Sequence, residues 1–154
     1  MVDHGIRAIL FDLNGVLVDV DDYKRRGFCT NYDELCYVAE FLGLFTNIKT
    51  AIVTNCSRET TNSVIAALPM APFFWDVIVT RDDVDGKTKP HPYPWLLASY
   101  KLGIPISQCL AIDNKDSGII AAVEAGAKTA RVNSPCQLTE GFLATTLRRL
   151  EMGI

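Results

Sequence analysis

Short apolar runs that end in a polar residue set the strongest constraint on this chain, and the first is Ala8-Ile9-Leu10-Phe11-Asp12. The run is short and lacks polar alternation, so it predicts a strand buried on both faces of a parallel sheet. A carboxylate is out of place inside such a strand, because buried Asp is rare without a partner. Asp12 therefore either leaves the sheet at its carboxyl edge, where open α/β sheets bind ligands, or has a partner. Gly15 then lets the chain turn away.

The same pattern recurs along the chain. Thr50 to Thr54, Asp76 to Thr80, Cys109 to Asp113 and Lys128 to Val132 read as further strands. Helical spacing and caps fall between them. Thr30 is the expected N-cap of a helix carrying Leu35, Val38, Ala39 and Leu42, with Gly43 as its stop. Ser57 is the expected cap of a second helix running through Val64, Ile65 and Leu68 to Pro69. Pro94 opens a helix from about Trp95 to Leu102 that stops at Gly103, and another runs from about Ser117 to Ala125 before Gly126. Thr139 caps a last helix to about Glu151. Gly15 to Arg26 reads as a loop or short hairpin over the carboxyl edge. Asp85-Gly86 marks a turn, and Lys87 to Pro92 an extended, proline-stiffened loop.

Strands alternating with helices predict an α/β fold: a three-layer Rossmann-like core, a parallel sheet of about five strands and right-handed crossovers. With 154 residues and no linker, repeat or low-complexity tract, residues 1–154 read as one domain.

Composition narrows the partners. Half the residues are apolar and the net charge is −3, so no basic footprint calls for nucleic acid. Lys24-Arg25-Arg26 and Arg148-Arg149 read as solvated surface. The apolar region from Val64 to Thr80 is interrupted by Pro69, Pro72 and Asp76, which argues against a bilayer span. Met1-Val2-Asp3-His4-Gly5 lacks the pattern of a signal peptide. Five scattered cysteines with no CxxC pair fit reduced, mostly buried thiols in a cytoplasmic protein.

Asp12, Thr54 and Asp113 share one predicted edge, and Lys89 sits in the stiff loop before a helix. Each alone has an ordinary reading as a cap, a turn residue or an exposed charge. Together they supply a nucleophile, a hydroxyl, a second carboxylate and a cation, which is the equipment of metal-assisted phosphoryl transfer.

At these positions the sequence resembles the haloacid dehalogenase superfamily. FDLNGVL is similar to its first motif, IVTN to the second, KTKPHPYPWLLA to the third and CLAIDNKDSGIIAAVEAGA to the fourth. The resemblance runs from Ile6 to about Val132 and is greatest to the branch of β-phosphoglucomutase and the phosphoglycolate phosphatases. It implies a Mg²⁺-dependent phosphatase acting through an aspartyl-phosphate. Asp12 would be the nucleophile, Thr54 with the backbone N–H groups of Asn55 and Cys56 would hold the phosphoryl oxygens, and Lys89 would neutralise the negative charge. The metal would be held by Asp12, the carbonyl of Asn14, Asp113 and the residue at 114. The implied partner is a phosphorylated small molecule, or a phosphorylated macromolecule reaching an open site. A homo-oligomer is compatible with that openness.

Three features depart from the family pattern. Asn14 stands where the family has the general acid/base, and an amide does not titrate near neutrality; losing such a group costs on the order of 10²–10⁴ in rate. Asn114 stands where a metal-binding Asp is usual, with Asp116 the remaining acidic candidate nearby. The 42-residue interval from Asp12 to Thr54 has room for a flap and a helix, not for a cap domain. Minimal cover argues against chemistry that needs a closed, dry pocket, such as dehalogenation or mutase transfer. The alternative expectation is a weak or inactive member that binds a phosphate ligand or a protein partner.

Overall fold

The structure, a computed structural model, describes residues 5–70 and 74–154. The residues expected to lack a signal-peptide pattern, up to His4, and Pro72 lie outside them.

Five parallel strands build one sheet: β1 (Ala8–Phe11), β2 (Lys49–Val53), β3 (Val77–Val79), β4 (Cys109–Asp113) and β5 (Lys128–Arg131). Their order is β3-β2-β1-β4-β5, so β1 lies at the centre. Phe11 is level with Ile52 on one side and Ile112 on the other. The chain builds outward from β1 to β3, then crosses back to lay β4 against the other side of β1. The gap between β1 and β4 is the topological switch point, where ligands bind in open α/β sheets.

Among the described residues six α-helices accompany the sheet: α1 (Val20–Arg26), α2 (Tyr32–Gly43), α3 (Arg58–Ile65), α4 (Tyr93–Leu102), α5 (Asp116–Ala125) and α6 (Glu140–Met152). Side chains alternate across β1. Ile9 and Phe11 join the core shared with Leu35, Val38, Leu143 and Leu147 of α2 and α6. Ala8 and Leu10 join the opposite core, with Trp95, Ala98, Ala121 and Ala122 of α4 and α5. Period-2 geometry thus turns one apolar run into the inner wall of two cores. The predicted three layers and five-stranded parallel sheet are observed.

Several boundaries differ from the sequence reading. The stretch from Gly15 is not a free loop. Leu13 to Val18 forms a tight turn in which the Leu13 carbonyl accepts from the N–H groups of Val16, Leu17 and Val18. Helix α1 follows, its first turn capped by the Asp19 side chain, which accepts from the Asp22 N–H at 2.8 Å. Seven residues carry too little periodicity to announce a helix; burial of Val20 and the pairing of Asp22 with Arg25 and Arg26 hold it.

Helix α2 begins after Asn31, not Thr30, and the Asn31 amide instead donates to the Leu17 carbonyl, pinning the preceding turn. Gly43 is the last residue of α2 and not its stop. Helix α3 ends at Ile65; Ala67 and Leu68 then bond back only three residues, a tightened final turn short of Pro69. The caps at Ser57 and Thr139 and the left-handed stops at Gly103 and Gly126 are as expected. The five cysteines are free thiols, but only Cys29 and Cys109 are buried, and Cys136 is exposed. Among the described residues no helix is long and apolar enough to cross a membrane.

Candidate functional site

Each strand end delivers one polar group to the same place. The Asp12 N–H still bonds the Ile112 carbonyl (2.9 Å), so the sheet ladder fixes its backbone. Thr54 is fixed likewise by the Val79 carbonyl (2.9 Å), and Asp113 ends β4 next to them. The rigid sheet edge, not a loop, therefore sets the geometry.

Lys89 reaches this edge from the loop before α4. Its ammonium donates to Asp12 Oδ1 (3.0 Å), Asp113 Oδ2 (2.8 Å) and the Val53 carbonyl (2.7 Å), using all three of its protons. The Trp95 ring lies 4.4 Å from the nitrogen, adding a cation–π contact. Trp95 is itself held by donating to the Gly118 carbonyl (3.2 Å).

The loop carrying Lys89 is clasped by Asn55. The Asn55 amide donates to the Lys89 carbonyl (3.2 Å) and accepts from the Lys89 N–H (3.1 Å), a two-bond bridge between the β2 and α4 sides of the site. The resemblance implied only a backbone role for Asn55. Its side chain also positions the cation.

The electrostatics follow from burial. Burial pushes the Asp12 carboxyl up to about 6, the Lys89 ammonium pulls it back down, and the Asp113 charge adds to the rise. Burial alone would lower Lys89, but Asp12 and Asp113 outweigh it and hold its pKa above that of an ordinary lysine. Two carboxylates around one ammonium leave a net negative charge in a nearly dry place.

Asp113 is fully committed. Besides Lys89, it accepts from the N–H groups of Asn114 (2.7 Å) and Lys115 (3.0 Å). The carboxylate lies so close to α5 that a Cβ on Gly118 would fall 1.9 Å from Oδ2. Glycine is required there by contact with the site, which explains its place in the GII segment of the sequence.

On the far side of Asp12 lie the two amides. Asn14 Oδ1 accepts from the Val20 N–H (3.0 Å), so its oxygen is engaged at the start of α1. Asn114 lies between Asp12 and the Asn14 carbonyl. Its amide oxygen faces both and its NH₂ lies against Gly15; turned over, the NH₂ would donate to the Asn14 carbonyl at 3.1 Å and to Asp12 Oδ2 at 3.3 Å. Gly15, with φ +86°, makes room for it: a Cβ would fall 2.2 Å from the amide nitrogen. Asp116 pairs instead with Arg131 on the exposed surface, away from the site.

The oxygens of Asp12, the Asn14 carbonyl and Asn114 form a hard donor set that fits a small divalent cation when the amide presents its oxygen. They bring a single formal charge. Asp113 stands behind this set, on the Lys89 side.

A cleft of about 160 Å³ opens in front of these groups, walled by Asp12, Asn14, Thr54, Asn55, Cys56, Lys89, Asp113, Lys115 and Ser117. Typical small-molecule sites measure about 300–1,000 Å³, so this one has room for a phosphoryl group and little of what carries it. The Cys56 N–H bonds Thr54 Oγ1 (3.0 Å), which ties the start of the α3 loop to the strand end. Lys115 and Ser117 were missed by sequence reasoning. A cation two residues after a strand-end Asp, within the fourth motif, was the available signal for Lys115.

A family model for haloacid dehalogenase-like hydrolases matches residues 37–126, more than half of the chain. The chain belongs to the haloacid dehalogenase-like hydrolase family. The match covers Thr54, Lys89 and Asp113 and begins after Asp12, whose place is supported by the geometry above. The pyrophosphatase PpaX of Bacillus pumilus (strain SAFR-032) is 39% identical over 84 residues, which are 54% of this chain and 38% of that protein. The chain thus spans well under half of that relative. Among solved structures, β-phosphoglucomutase from Clostridium difficile superposes with a TM-score of 0.70 at 17% identity, over 94% of this chain and 98% of that one. CbbY from Rhodobacter sphaeroides, in complex with phosphate, superposes with a TM-score of 0.67 at 18% identity, over 86% of this chain and 96% of that one. At such identities these two structures speak for the haloacid dehalogenase-like fold. Between β1 and β2 the described elements are α1 and α2, with no cap domain among them.

Proposed function

We propose that this haloacid dehalogenase-like chain is a phosphatase that takes the phosphoryl group of a phosphorylated compound onto Asp12. The observation that carries the proposal is the Lys89 ammonium seated 3.0 Å from Asp12 and 2.8 Å from Asp113 at the mouth of a phosphate-sized cleft. A carboxylate and a phosphate repel each other, and a buried ammonium beside the nucleophile offsets that repulsion where water cannot.

In this reading the Asp12 carboxylate attacks phosphorus, the bond to the leaving oxygen breaks, and water later hydrolyses the aspartyl-phosphate. Thr54 and the N–H groups that follow it orient the phosphoryl oxygens. Asn55 keeps Lys89 in register. Mg²⁺ would be held by Asp12, the Asn14 carbonyl and Asn114, with Asp113 behind them, and would supply further charge neutralisation. Asn14 gives no proton to the leaving oxygen, so substrates with good leaving groups are favoured. The small, uncapped cleft favours recognition of the phosphate over the rest of the molecule. CbbY with bound phosphate and the pyrophosphatase PpaX are consistent with a phosphorylated ligand.

A second reading, a phosphate-binding member with little turnover, is favoured by one contact: the Asn14 oxygen is already engaged at the start of α1.

An aryl phosphate assay with Mg²⁺ separates the two. The first reading expects turnover that Asp12→Ala abolishes, and a gain in Asn14→Asp of up to about 10²-fold with poorer leaving groups. Turnover that survives Asp12→Ala would sink the site assignment. No turnover in the parent together with a strong gain in Asn14→Asp would establish the second reading.

A further inference from the structure

We propose that Trp95 is a positioning residue for the phosphoryl transfer assigned to this cleft: its ring holds the Lys89 ammonium while that group exchanges a protein acceptor for an oxygen of the entering phosphoryl group. The proposal rests on the reading of the cleft as a phosphate site.

Lys89 has no proton to spare. Its three donors are taken by Asp12, Asp113 and the Val53 carbonyl. A phosphoryl oxygen can accept from the ammonium only if one of those bonds opens and the nitrogen moves. A hydrogen bond breaks under such a displacement, because it depends steeply on direction. A ring face does not: its attraction for a cation is spread over the π surface and takes up no proton. The Lys89 nitrogen lies over the Trp95 ring, 4.4 Å from its centroid, so this contact persists through the exchange. Indole offers the strongest such face among the aromatic side chains, and desolvation strengthens it; Trp95 is fully buried.

The ring is itself fixed to the opposite side of the site. Its Nε1 donates to the Gly118 carbonyl at 3.2 Å, in the first turn of α5. Gly118 is pressed against the Asp113 carboxylate, and Asp113 accepts from Lys89 at 2.8 Å. Lys89, Trp95, Gly118 and Asp113 thus close a circuit that joins the loop before α4 to the start of α5. Moving the ring moves the seat of both the cation and the second carboxylate. Packing alone explains neither the ring face under a charge nor the indole bond.

Steady-state kinetics of the full chain on an aryl phosphate with Mg²⁺ test the proposal. Trp95→Leu stays apolar but has no ring face, and its kcat should fall about tenfold or more with KM changed less than about threefold. Trp95→Phe restores a face without the indole bond and should recover kcat to within about threefold of the parent. A role in packing alone predicts a lower Tm in both variants and a kcat near the parent's once counted per folded chain, which would overturn the proposal. Equal losses of kcat in the two variants would also overturn it.

A second measurement leaves Trp95 in place. The chain has two tryptophans, and Trp75 packs in the core against Phe11 and Phe74 with its Nε1 unpartnered among the described residues. In Trp75→Phe the remaining indole is Trp95, and its emission should change as inorganic phosphate is titrated in, with the midpoint found by calorimetry. If the parent binds phosphate without turnover, this titration alone decides. Calorimetric binding with silent Trp95 emission would overturn the proposal and leave the phosphate site intact. No phosphate binding and no turnover would overturn the phosphate-site reading itself, and the proposal with it.

Discussion

Lys89 and Asn114 approach the same carboxylate from opposite sides and treat it differently. Lys89 meets Asp12 Oδ1 with a full charge, 4% exposed and bonded to three acceptors at once. Asn114 meets Oδ2 with an amide that carries no charge and has two usable faces. The first contact is part of the architecture: its donors are spent, and removing it strands two buried anions. The second is exchangeable, because turning one amide converts donors into an acceptor. Stability should therefore reside on the Lys89 side, and response to ligands and ions on the Asn114 side.

The largest expected effect tests the Lys89 side. Lys89→Met keeps the length of the side chain and removes its charge, leaving Asp12 and Asp113 unpaired. The loss should be about 3–5 kcal/mol in denaturant unfolding at neutral pH. A loss below about 1 kcal/mol would mean that the two sides do not differ in kind.

Next in size is the dependence on pH. Asp12 must be ionised to attack, and burial holds its carboxyl at about 6. For an aryl phosphate, log kcat/KM should therefore fall with unit slope as pH drops below about 6. The same shift has a stability consequence of opposite sense to that of an ordinary ion-paired carboxylate. Between its ordinary value of 3.8 and about 6, the native state holds the Asp12 proton more tightly than the unfolded chain does. The contribution of protonated Asp12 is thus full below that window and is lost as pH rises through it. Asp12→Asn should remove this pH dependence from a Tm profile. An acid limb near pH 4 instead would show that Lys89 outweighs burial.

The smallest effect sharpens the comparison. Asn55→Ala deletes both bonds to the Lys89 backbone but leaves the ammonium and its partners in place. A stability loss of about 1–2 kcal/mol is expected, with phosphate affinity less affected than by Lys115→Met. Equal losses of affinity would make Asn55 a ligand contact and not a positioning residue.

Much of this was legible along the chain because it depends on near neighbours. Apolar runs, the Ser57 and Thr139 caps and the stops at Gly103 and Gly126 are local signals, and the structure keeps them. Where a long-range contact competed, the local signal lost. Asn31 gave up a capping role to hold the Leu17 carbonyl, and α1, besides its local Asp19 cap and Asp22–Arg26 pair, rests on the burial of Val20 and its N–H bond to Asn14. Lys115 carried no reading of its own along the chain, and only the fold put it on the cleft wall.

The sequence by itself determined that polar groups end the strands and that positions 14 and 114 carry amides where charge was expected. Only the tertiary structure decided what those residues meet. The sheet order brings Lys89 to an Asp12 that lies 77 residues away, and turns the two amides to different tasks, one engaged at the start of α1 and one facing two oxygens. The physical reason is that a residue type sets which bonds a group can make, while sheet register and burial set which partners remain once water is gone.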